Sequence, residues 1–197
     1  ASLSGTGGTV QLAATSALTL NQNTNTSYAG DLTGAGSFTK SGAGTLALSG
    51  TNTLTNGITL NAGTLEVGTA ASLGSALNVT GAATLHTTGS FSSAATVALG
   101  GATSIDTDNA TTLTLSGNVT GGSALTKVGT GTLVLTGSGN TYSGGTTVTA
   151  GTLQGDHDSF GTGAIANNAA LVIDETTGGS MANNISGTGT LTKQGTG

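Results

Sequence analysis

Residues 125–155 read LTKVGTGTLVLTGSGNTYSGGTTVTAGTLQG. The stretch holds no acid, no histidine and no cysteine, and Lys127 is its only base. Residues two apart on a strand share a face, so Leu133 and Leu135 point to the same side. Thr and Val suit strands because branched side chains pack well on a pleated surface. The Gly, Asn and Ser between the apolar runs mark turns, so short strands separated by tight corners are expected.

The same order recurs. "GSFTKSGAGTLALSG" around Lys40, "SALTKVGTGTLVLTG" around Lys127 and "GTLTKQGTG" around Lys193 share one frame. The first continues "TNTLTNGITLNAGTLEVG" and the second "SGNTYSGGTTVTAGTLQG", reconciled by one inserted residue between Gly50 and Asn52. Lys40 and Lys127 lie 87 residues apart, Lys127 and Lys193 lie 66 apart, and Asn52 and Asn140 lie 88 apart. All three spacings are close to multiples of about 22, a plausible coil length for a solenoid. An all-β fold is expected: a parallel β-helix of roughly nine coils, stacked at about 4.8 Å into a rod of about 40 Å. A β-sandwich gives regular turns but requires no such recurrence.

Composition agrees. Only 6 % of the 197 residues are charged, against about 25 % in ordinary domains. Gly supplies 36 positions and Thr 42, with no Pro, Cys or Trp. Apolar residues alternate, as in Leu18–Leu20, Leu46–Leu48, Val97–Leu99, Leu113–Leu115 and Leu171–Ile173, unlike a disordered chain. Stacked coils place like over like, so Thr, Ser and Asn can bond along the stack. A net charge of −5 without Arg argues against nucleic acid, whose phosphates need Lys and Arg. No window is apolar enough for a membrane helix, no signal peptide stands at Ala1, and no thiolate metal site or disulfide exists.

The frame resembles the autotransporter-associated β-strand repeat of type V secretion passenger domains. Leu125–Leu153 match its signature almost throughout, apart from an extra residue near Gly139. Phe38–Leu65 is a weaker copy, with Phe38 for Leu, Leu54 for the usual Tyr and Asn56 for the first Gly of the pair; Thr190–Gly197 begins a third. The matching repeat positions are Lys40, Gly42, Gly44, Leu46 and Leu48, then Lys127, Gly129, Gly131, Leu133, Leu135 and Tyr142, then Lys193. The resemblance implies a right-handed parallel β-helix exported across a Gram-negative outer membrane by a β-barrel outside this chain. Residues 1–197 are then expected to be one repeat segment of a longer passenger, with a stalk and adhesive role, no catalysis and no cofactor. Partners are expected among host or bacterial surface molecules, or further copies of the chain in a filament.

Each chemical candidate has a plainer alternative. The lysines are expected to face solvent at one fixed place in the coil, opposing edge pairing. "GDHDSFG", residues 155–161, holds Asp156, His157 and Asp158, a weak candidate for a divalent metal or an oriented base. Its alignment with "GTAASLG", residues 68–74, favours a surface turn. His86 has no evident partner, and "DTDN" at 106–109 lacks the Gly and Glu of a calcium loop. No Gly-x-Ser-x-Gly elbow occurs. A polysaccharide-acting β-helix needs paired carboxylates, and Asp156 with Asp158 is the best pair. Of the five aromatics, Phe38 and Tyr142 are repeat positions expected to pack inside.

Overall fold

The computed structural model describes residues 1–197. The alternating segments form short strands with one side in and the other out. In Thr132–Leu135 the side chains of Leu133 and Leu135 are fully buried, while Thr132 and Val134 stay half-exposed. A four-residue strand cannot satisfy its own backbone polar groups. This one bonds to Thr112–Leu115 in the coil before and to Thr152–Gly155 in the coil after, both in parallel. The whole chain repeats that solution as an all-β, parallel β-solenoid of nine turns.

Each coil has three sides. Face one begins with Ala17–Asn21 and Ser37–Ser41 and keeps its ladder to Val119–Gly121. Face two is a continuous nine-stranded sheet from Thr26–Tyr28 to Ile185–Ser186. Face three is two sheets, Thr9–Leu12 to Thr53–Leu54 and Phe91–Ser93 to Thr190–Gln194. Between them sits a one-turn helix, Ala70–Leu73, capped by Thr69 and Ser72. Four residues are too few to show a helical period, which is why only a turn is visible in the sequence there.

The interior is a single thin column of apolar side chains. On face two the inward positions run Leu46, Leu65, Leu85, Ile105, Lys127, Val148, Asn167. Each fully buried Leu contributes about 1.5–3 kcal/mol. Successive partners in that column lie 19 to 22 residues apart, so most coils are shorter than the expected 22.

Shorter coils relocate the lysines. Lys40 stands on face one over Leu20, Lys127 on face two over Ile105, and Lys193 on face three over Ile173. The 87- and 66-residue spacings therefore span four and three coils plus about one third of a coil. The expectation of one fixed place around the coil is corrected: the three copies occupy three different sides.

Candidate functional site

The repeat-defining residues form a corner between coils. Lys40 and Lys127 are completely buried, which overturns their expected solvent-facing position. Lys40 Nζ donates to the carbonyls of Ser41 (3.2 Å), Gly42 (2.8 Å) and Ala62 (3.1 Å). Lys127 Nζ donates to Val128 (2.5 Å), Gly129 (2.8 Å) and Ala150 (3.4 Å). The first two acceptors belong to the turn that follows the lysine and the third to the next coil. Lys193 is exposed and donates to the carbonyls of Gly195 and Gly197 in its own turn and to that of Glu175 in the coil before. Burial pushes Lys127 down to about 8, against a smaller upward pull from Asp106; burial lowers Lys40 as well.

The two glycines of this corner have separate reasons. Gly129 adopts φ +73°, where a side chain is strained. Gly131 is limited by space, since a Cβ there would lie 2.2 Å from the Asp108 carbonyl oxygen. Gly42 and Gly44 repeat the pair. Beneath the first glycine of each corner lies a polar residue one coil earlier: Gln22, Thr107 and Glu175. Gln22 Oε1 and Thr107 Oγ1 are buried without a hydrogen-bond partner.

Asn52 and Asn140 stitch three coils together. Asn140 Oδ1 accepts from Val119 N below, and Asn140 Nδ2 donates to the Ser159 carbonyl above. Asn52 does the same between Leu32 and Ser72. Both upper partners lie in matching turns closed by a serine, Thr69 with Ser72 and Asp156 with Ser159. Tyr142 is fully buried with its hydroxyl 2.8 Å from Thr146 Oγ1, and burial raises it to about 12. In the first copy the corresponding pair, Leu54 and Ile58, is wholly apolar and buried. Phe38 and Tyr142 pack inside, as expected.

The turn at 156–160 is half surface and half core. Asp156 and Asp158 are exposed, while Ser159 and Phe160 are buried. Asp156 faces inward to the turn, accepting from Asp158 N and Ser159 Oγ. His157 turns the other way: Nδ1 bonds to buried Glu175 and Nε2 lies 3.2 Å from Asp158 Oδ2. The Glu175 hydrogen bond raises His157 despite its partial desolvation, and His157 with Thr177 holds Glu175 at about 2. His86 is not alone either. Nδ1 meets Glu66 at 3.1 Å and Nε2 meets Asp108 at 2.9 Å. Burial pulls His86 down, but those two hydrogen bonds and the charges of Asp108 and Asp106 lift it above its usual value.

Both histidines therefore clamp neighbouring coils. Glu175 follows His157, and His86 follows Glu66, by about one coil, a relation readable once the coil length is known. Asp156, His157 and Asp158 do not converge: no three His, Asp or Glu side chains in the structure are placed as a metal-ligand set. No helix is long and apolar enough to cross a membrane.

Residues 38–67 and 125–154 each match the family described as passenger-associated-transport-repeat. The chain is 45 % identical over 186 residues to the adhesin BmaC autotransporter of Brucella suis biovar 1 (strain 1330), which covers 90 % of this chain. It spans 5 % of the length of that relative. No solved structure matches. The two copies of the lysine corner are thus passenger-associated transport repeats, and the solenoid they organise is similar over nine-tenths of its length to an autotransporter adhesin.

Proposed function

We propose that this chain is a non-catalytic, adhesive stalk segment of a surface-exposed autotransporter passenger, supporting attachment to cells or aggregation between them. One observation carries the reading. Every residue that defines the repeat acts on the neighbouring coil or the core: the lysines on carbonyls, the glycines on close approach, the asparagines on two coils at once. What remains outward is three long faces of Thr, Ser, Ala and Asn. Such faces recognise by shape and repeated hydroxyl groups. The single curated relative named above is itself an adhesin. Residues 1–197 form one structural unit of a longer passenger, exported through a β-barrel outside this chain and displayed on the outer surface of a Gram-negative cell.

The test is an in-register deletion. Removing residues 78–97, one coil from Asn78 to Val97, keeps the ladder phase because Leu77 and Val97 are already partners. The shortened rod is expected to stay folded by circular dichroism. Beads coated with either chain are expected to attach to cultured cells, and attachment no better than albumin-coated beads would remove the adhesive reading.

A further inference from the structure

After Val119–Gly121 the ladder on face one gives way to three irregular crossings, residues 138–143, 157–163 and 178–184. They still stack. Thr141 N donates to Val119 O, Thr162 N donates to Tyr142 O, and Asn183 Nδ2 donates to the carbonyls of Gly161 and Gly163. Without a flat ladder the outer surface becomes concave, leaving a cavity of about 280 Å³.

The lining is polar, with Ala182 its only hydrophobic residue. Ser138, Thr141, Thr162 and Ser180 bring hydroxyls that are not engaged within the chain. Both amide hydrogens of Asn183 are taken by Gly161 and Gly163, so Oδ1 is left to accept. The Asp158 carboxylate is 72 % exposed and meets only His157 Nε2. His157 is held in turn by Glu175, so it acts as a positioning residue for Asp158.

This inventory selects a ligand class. An apolar molecule finds one alanine and no large hydrophobic side chain to bury against. An anion meets Asp158 with Asp156 close behind. A metal ion finds one exposed carboxylate, already paired with His157, and no converging set. A molecule with several adjacent hydroxyls can donate to Asp158 and Asn183 Oδ1 and exchange hydrogen bonds with the four side-chain hydroxyls. The volume lies just below the roughly 300 Å³ at which drug-sized pockets begin. We propose that this cavity is a carbohydrate subsite that takes one neutral hexopyranose ring. The inference deepens the adhesive reading and rests on it. With no aromatic platform, affinity for a single ring is weak, with Kd on the order of 1–10 mM.

The experiment is a nitrogen-15 NMR titration of the whole chain with methyl α-mannoside, methyl β-galactoside and N-acetylglucosamine into the tens of millimolar. At least one sugar is expected to give saturable shifts at the amides of Asp158, Thr162 and Asn183. Asp158→Ala, a change at an exposed side chain, is expected to weaken that sugar about tenfold or more, whereas Thr39→Ala on the same face leaves it unchanged. The absence of saturable shifts with all three sugars, or equal affinity in Asp158→Ala, would overturn the subsite. Bead attachment without sugar binding would sink the subsite and leave the adhesive role; sugar binding without attachment would do the reverse.

Discussion

Lys127 and Ala150 lie in successive coils, and the ammonium of the first donates to the carbonyl of the second while also closing its own turn. A buried charge normally requires an opposite charge. Here three carbonyl dipoles serve instead, and Lys40 uses the same arrangement in the first copy. Lys127→Met keeps much of the apolar stem and removes the donor. It is expected to destabilise the chain by about 1–3 kcal/mol, the cost of leaving buried acceptors unmatched, measured by chemical denaturation.

The same residue gives a pH signature. Lys127 binds its proton less tightly when folded, at about 8, than at its usual 10.5. The unfolded chain therefore holds more protons between those values, and stability contributed by this group rises as pH rises from about 8 to 10.5. The denaturation midpoint of the parent chain is expected to climb across that window. In Lys127→Met the climb is expected to be smaller; an identical slope would contradict the assignment.

The histidine clamps titrate at the other end. Glu175 is depressed from 4.5 to about 2, so its contribution is complete above 4.5 and lost as pH falls toward 2. His157 and His86 are raised above 6.5, so theirs are complete below 6.5 and lost as pH rises through the folded values. Melting temperature is expected to be flat between about 4.5 and 6.5 with respect to these groups and to decline on either side. Glu175→Gln is expected to flatten the acid limb, and His86→Gln to reduce the neutral one.

Tyr142 and Thr146 form a polar pair where the first copy has Leu54 and Ile58. Tyr142→Phe alone leaves the Thr146 hydroxyl unpaired and is expected to cost about 1 kcal/mol. Thr146→Val alone strands the tyrosine hydroxyl at a similar cost. The double exchange removes both polar groups and is expected to cost less than the sum, a coupling that a double-mutant cycle reads directly.

Two backbone substitutions separate space from conformation. Gly131→Ala meets the Asp108 carbonyl and is expected to destabilise by more than about 1 kcal/mol. Gly122→Ala meets nothing within 4 Å and has no positive φ, so it is expected to be neutral or slightly stabilising. Thr107→Val exchanges an unpartnered buried hydroxyl for a methyl group and is expected to stabilise, as judged by the denaturation midpoint.

The strand pattern was legible because Leu133 and Leu135, or Leu46 and Leu48, differ from their neighbours in hydropathy, and a strand displays that difference with period two. The inward packing of Tyr142 and Phe38 was legible from their place in the repeat. The burial of Lys40 and Lys127 was not. Lysine is seldom fully buried, and its partners here are backbone carbonyls, which no residue type announces. The clamps at His157 and His86 were hidden for another reason. Glu175 and Glu66 become their neighbours only after the coil length is known, and the spacing of the lysines suggested 22 where most steps are nearer 20. A long interval can be divided into whole coils or into coils plus a fraction, and residue counting alone does not choose.

That fraction shapes how the rod meets its surroundings. Because each lysine corner is turned by one side of the triangle from the one before, no single face carries the repeat. The turns at Thr69–Leu73 and Asp156–Phe160 look out in different directions, and the Lys193 corner lies on the third side. A rod built this way needs no particular rotation about its axis to present the same turn to whatever lies beside it. Lengthening it by further repeats winds that motif around the shaft like a thread.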